Sequence, residues 1–110
     1  MAVSLEYREF IKEQLERLGV ISIRPMFGGA GVYCDGVMFA LIAYETLYFK
    51  ADKQTISGFE AEGMEPFTYE GKAKPVKMSY WRAPERLFDD TDEMKNWAEA
   101  ALSAAHRSKK

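Results

Sequence analysis

The alternation of apolar and polar positions changes period twice along this chain. Val3, Tyr7, Phe10, Ile11, Gln14, Leu15 and Leu18 recur at helical spacing, apolar except for Gln14. Ser4 is placed to cap that helix, with Glu6 and Glu9 near the positive end of its dipole, and Gly19 ends it. From Val20 the period becomes that of a strand. VISIRPMF contains Pro25, which lacks an amide donor and biases Arg24 towards extended backbone, so this strand belongs at an edge or a bulge. AGVYC and VMFALIA meet across Asp35-Gly36, a strong hairpin signal. A turn at Tyr44-Glu45-Thr46 leads into LYFKA, where Leu47 and Phe49 alternate with Tyr48 and Lys50. VMFALIA is apolar almost throughout, as expected of a central strand covered by helices.

Helical patterning returns after Asp52, which can cap DKQTISGFEAEG up to Gly63. EPFTYEG and VKMSYW read as two further strands, the second with Val76, Met78 and Tyr80 on one face, joined by a basic linker, GKAKP. Asp90 with Glu93 three residues on makes a capping-box pattern. Met94, Trp97, Ala98, Ala101 and Ala105 then share one face of a final helix, with Trp97 expected as its core anchor. The order α-β-β-β-β-α-β-β-α predicts an α+β fold of two layers, a mainly antiparallel sheet with helices largely on one face. With 110 residues and no dividing linker, the chain reads as one domain over 1–110.

Charge narrows the partners. Fifteen Lys/Arg face seventeen Asp/Glu, and the terminal HRSKK holds three of the basic residues, so the body carries twelve against seventeen, a net −5. That sign opposes the DNA phosphate backbone, and nucleic-acid contact is expected to be weak or indirect. One cysteine, the absence of a signal-peptide pattern and a longest apolar run far short of a bilayer predict a cytoplasmic protein with no membrane contact.

The Gly-rich stretch RPMFGGAGVY leads into strand residues rather than a Lys-Ser/Thr helix start or a dinucleotide-binding helix, so both phosphate-cradle readings fail. Gly28, Gly29 and Gly31 instead point to a tight bend or bulge, positive φ, and close approach of a packed side chain. Cys34 has one potential base, His106, and no spacing brings them together; Ser79 and Ser103 lack a His-Asp set. The cluster Asp89, Asp90, Asp92 and Glu93 is accounted for by helix capping, so no catalytic residue, metal site or cofactor is expected and the chain reads as non-enzymatic. Phe27, Tyr33, Tyr48, Tyr69, Tyr80 and Trp81 could form a stacking surface, but neither interleaved basic residues nor an RNP-like motif accompanies them. Alternation places Tyr33, Tyr48 and Trp81 as the aromatics to find on an accessible face.

RPMFGGAGVYCDGVMFALI, LYFKAD, the GMEPFTY segment, MSYW followed by Pro84, and WAEAALSAA run in one order along nearly the whole chain. In these the sequence resembles the N-terminal domain of the TfoX/Sxy family, bacterial regulators of natural competence. The resemblance implies a fold similar to secretion-chaperone-like domains. It also implies a regulatory, non-enzymatic interaction module acting through a protein partner, the cAMP receptor protein or another transcription factor. A homodimer stays open. The longer competence regulators carry a second, C-terminal domain. Arg24, Phe27, Gly28, Gly29, Gly31, Tyr33, Tyr48 and Trp81 are the expected signature or interaction residues. For Arg24 two roles stand side by side, anchoring the Gly-rich bend by hydrogen bonds and touching a partner. The alternative function is a small-ligand-binding or enzymatic domain using a cleft beside the Gly-rich bend.

Overall fold

A computed structural model describes residues 5–26, 29–70 and 75–108. Phe27, Gly28 and the GKAK linker of the sequence reading lie outside the described residues, as do Val3 and Ser4. The elements are α1 (Leu5–Leu15), β1 (Ile21–Met26), β2 (Gly29–Cys34), β3 (Val37–Ala43), β4 (Thr46–Lys50), α2 (Ile56–Ala61), β5 (Pro66–Glu70), β6 (Pro75–Arg82) and α3 (Thr91–Ser108). Short 3₁₀ turns follow α1 (Glu16–Leu18) and precede α3 (Glu85–Asp89). This is the predicted α+β order.

The strands form one sheet in the order β1-β2-β3-β4-β6-β5, with all neighbours antiparallel. Pro25 falls in β1, an edge strand, where its missing donor costs no central ladder bond. Both two-residue hairpins turn through the left-handed region: Asp35 and Gly36 at φ 51° and 83°, Tyr44 and Glu45 at 53° and 56°. Such turns match the twist of the flanking strands. Asp-Gly adopts them readily; Tyr44-Glu45 does so against side-chain sterics.

The helices cover one face of the sheet. Ile11 and Leu15 of α1, Phe59 of α2, and Met94, Ala98, Ala101 and Ala105 of α3 share a core with Ala30, Val32, Ala40, Ile42, Leu47 and Phe49. A register shift adds Phe39 to it. Val32 pairs with Ala40 but Tyr33 pairs with Met38, leaving Phe39 as the extra residue of a β-bulge. Strict alternation would send Phe39 to the opposite face from Ala40; the bulge brings both into the core. For the Gly-rich segment the sequence suggested a tight bend or bulge, positive φ and close approach of a packed side chain. Gly29 and Gly31 run in register through β2, paired with Met26 and Arg24, and neither has positive φ.

The capping prediction holds in its first half: the Asp90 carboxylate accepts the Glu93 amide proton at 3.1 Å. The Glu93 side chain does not return to Asp90; it accepts from Arg86 at 2.7 Å. Arg86 also forks onto both oxygens of Glu62, at 3.2 and 2.7 Å, tying the 3₁₀ turn to the ends of α2 and α3. Arg107 forks onto Asp52 at 2.6 and 3.1 Å, fastening the end of α3 to the loop after β4. The Asp52 and Glu62 carboxyls sit below their ordinary range, chiefly through their hydrogen bonds from arginine. A carboxyl depressed in the folded state adds stability above the ordinary range, and that stability disappears as pH falls through the folded value. The thermal midpoint is therefore expected to drop below about pH 4.5, with a shallower fall in Asp52→Asn. An identical pH profile in that variant would remove Asp52 from the effect.

Gly58 lies inside α2, where a Cβ would meet nothing nearer than Trp97 Cη2 at 4.0 Å, and its φ is ordinary. Gly58→Ala is expected to raise stability by about 0.5–1 kcal/mol through helix propensity, read as a higher urea midpoint at unchanged slope. A lower midpoint would show that the neighbouring chain cannot accept the methyl.

Candidate functional site

The face turned away from the helices is read directly from the register. Arg24, Gly31, Leu41, Tyr48 and Arg82 lie opposite one another on five successive strands, forming a single transverse row. Leu41 sits at its centre, only 3% exposed yet outside the helix-side core. Arg24 and Arg82, both exposed, stand at its two ends. Because the row's residues alternate with core residues along each strand, the same pleat that builds the core delivers this face.

Aromatic rings flank the row. The Arg24 guanidinium lies 5.1 Å from the centroid of the Tyr33 ring, reaching diagonally past Gly31, which has no side chain to intervene. Tyr48 meets Phe67 edge-on at 5.1 Å. Tyr80 lies beneath the Lys50 ammonium at 5.3 Å. Burial, opposed by Arg82, raises the Tyr48 phenol above its ordinary value; burial and then the neighbouring Tyr33 do the same for Tyr80. Both phenols stay protonated at neutral pH and present hydrogen-bonding groups without charge. Tyr44, 70% exposed at the tip of the β3–β4 turn, extends the aromatic surface beyond Tyr48. A bulky residue held in a left-handed turn and pointing into solvent gains little for the fold itself.

The expected site residues divide. Arg24, Gly31, Tyr33 and Tyr48 come together on this face, and Gly29 faces the same way in β2. Trp81 does not: it pairs with Phe49 on the helix side and packs against Phe59, 6.1 Å between centroids. The sequence reading had VKMSYW ending at the tryptophan, and the next residue, Arg82, is the one that reaches the outer face. Phe67, Leu41 and Tyr44 were also missed. Continuing the alternation of Tyr80 to Arg82 would have found the second arginine; a two-residue turn without Gly or Asn was the signal for Tyr44.

Cys34 and His106 stand in different surroundings. Cys34 is 1% exposed in the core, and burial, followed by Asp35, raises its thiol above the ordinary value, while His106 is exposed on α3. Among the described residues no group of three or more His, Cys, Asp or Glu could hold a metal ion. A cleft in the helix layer lies between α2 and α3 and is lined by none of Arg24, Gly29 or Gly31.

Trp97, expected as a core anchor, is half-buried, edge-on to Phe59 at 5.0 Å; Met94 and four alanines fill the buried stripe of α3.

Fold and surface together define a two-layer α+β domain with an uncovered sheet face of aromatic and cationic side chains. The chain belongs to the TfoX N-terminal domain family, which it matches over residues 13–105. It is 28% identical over 108 residues to Protein Sxy of Escherichia coli (strain K12), covering 96% of this chain and 52% of that protein. It is 30% identical over 95 residues to DNA transformation protein TfoX1 of Aliivibrio fischeri (strain ATCC 700601 / ES114), covering 79% of this chain and 45% of that protein. The chain thus spans about half the length of the relatives it matches.

Proposed function

We propose that residues 1–110 form a single regulatory interaction domain that binds a protein partner through the uncovered sheet face, in the cytoplasm and without catalysis. The row from Arg24 to Arg82 carries this reading: neutral phenols beside it and a cation at each end suit a partner surface with acidic and aromatic groups. Family membership supports a regulatory role, and the resemblance nominates the cAMP receptor protein or another transcription factor as the partner. The acidic body favours contact with DNA through that partner rather than directly. Among the described residues no helix is long and apolar enough to cross a membrane.

The test uses labelled promoter and scrambled duplexes at near-physiological salt, with and without the partner. Weak, unselective binding by the protein alone and selective binding in the partner's presence are expected. Arg24→Glu should weaken the partner complex by roughly 30-fold, about 2 kcal/mol, the effect of reversing a charge that faces an acidic group of the partner. Tyr44→Asn should also weaken it while keeping or raising the thermal midpoint, since asparagine tolerates the left-handed turn. Nanomolar, sequence-selective duplex binding by the protein alone would overturn the proposal, as would a partner complex indifferent to both substitutions.

A further inference from the structure

The cleft between α2 and α3 has a volume of about 360 Å³ and belongs to the helix layer. That size suits a small molecule and is too small for a helix or strand of a partner. Phe59 and Trp97 meet there edge to face, at 84°, so the rings wall the cleft without covering each other's faces. Gln54, Ser57 and Asn96 add uncharged donors and acceptors to its lining.

Charge in the lining is unbalanced. Glu93 is engaged by Arg86 at 2.7 Å. Lys50 donates to Ser79 Oγ at 2.6 Å, and among the described residues it pairs with no carboxylate. An ammonium has two further protons to offer. The net electrostatic offer of the cleft is one cation beside an aromatic wall.

Gly58 supplies an independent sign. It weakens a short helix, yet neither its φ nor its surroundings demand a glycine. Its missing side chain would have pointed at Trp97, so glycine here keeps the indole reachable.

We propose that the α2–α3 cleft binds a small anionic aromatic molecule, its ring against Trp97 and its acid group towards Lys50. The uncharged lining contacts the edge of the ring. An aryl carboxylate and a nucleoside monophosphate share that chemistry. The site shares Lys50 with the edge of the outer face, where its ammonium also lies over Tyr80, but takes in none of the row from Arg24 to Arg82.

The test is titration of the full chain with indole-3-acetate, AMP, uncharged indole and inorganic phosphate. Calorimetry is read beside the amide and indole N–H resonances of Gly58, Asn96 and Trp97. One of the two anionic aromatics should bind with a Kd of roughly 1 mM or tighter and shift those resonances; which of them binds identifies the source. Lys50→Gln should weaken that ligand about tenfold and leave any weak indole binding unchanged. Gly58→Leu should keep the fold, as shown by dispersed spectra, and abolish the shifts. Failure of both anionic aromatics to bind below about 10 mM overturns the proposal. So does equal affinity for indole, or binding that survives in folded Gly58→Leu.

Discussion

Replacing Phe39 by alanine is expected to remove about 3–5 kcal/mol of stability, a large part of the roughly 5–15 kcal/mol a domain of this size has. Phe39 is fully buried, its ring stacked 6.5 Å from that of Phe49. It occupies the bulge of β3, so it is the one residue whose presence in the core depends on the ladder being irregular there. Truncation leaves a ring-sized void between the central strands and α3, because the ladder on either side holds the backbone apart. Urea melts should show the loss as a lower midpoint at unchanged slope. A loss well under about 1 kcal/mol would mean that β3 slips into regular register and turns residue 39 outward, so the bulge would be dispensable.

Gly29→Ala is expected to be the most damaging single-methyl change in the sheet. A Cβ at this position would stand 2.2 Å from the carbonyl oxygen of Ile42, with the Ile42 and Ala43 backbone close behind at 3.2 and 3.4 Å. The obstacle is main chain of a central strand, which cannot rotate aside as a side chain would. Relief requires β2 and β3 to separate next to the Ala30–Ile42 pair. Overpacking of this kind costs about 1–3 kcal/mol and occasionally more, and Gly29→Val should exceed Gly29→Ala. Thermal melts of the two variants measure it. An unchanged midpoint in Gly29→Ala would show that the strands part freely at this end. Of the reasons the sequence suggested, positive φ is absent at Gly29, and the close approach comes from the main chain of another strand rather than from a packed side chain.

The sequence by itself determined which segments are helices and strands, and in what order. Those signals are local: the 3.6-residue stripe of α3, the alternation in β4, the left-handed Asp35-Gly36 turn, the Asp90 cap. It also determined that Tyr48 points away from Leu47 and Phe49, since the pleat alternates side chains along β4. What only the tertiary structure decided depends on contacts distant in the chain. β6 returns to lie beside β4, so Arg82 joins a row begun by Arg24 fifty-eight positions earlier. That pairing also faces Trp81 inward onto Phe59, and the extra residue in β3 carries Phe39 into the core. Strand neighbours and register are chosen by burial summed over the whole sheet, and no window of the sequence contains both partners. The same reason hides the role of Gly29, whose constraint is the carbonyl of a residue on the next strand.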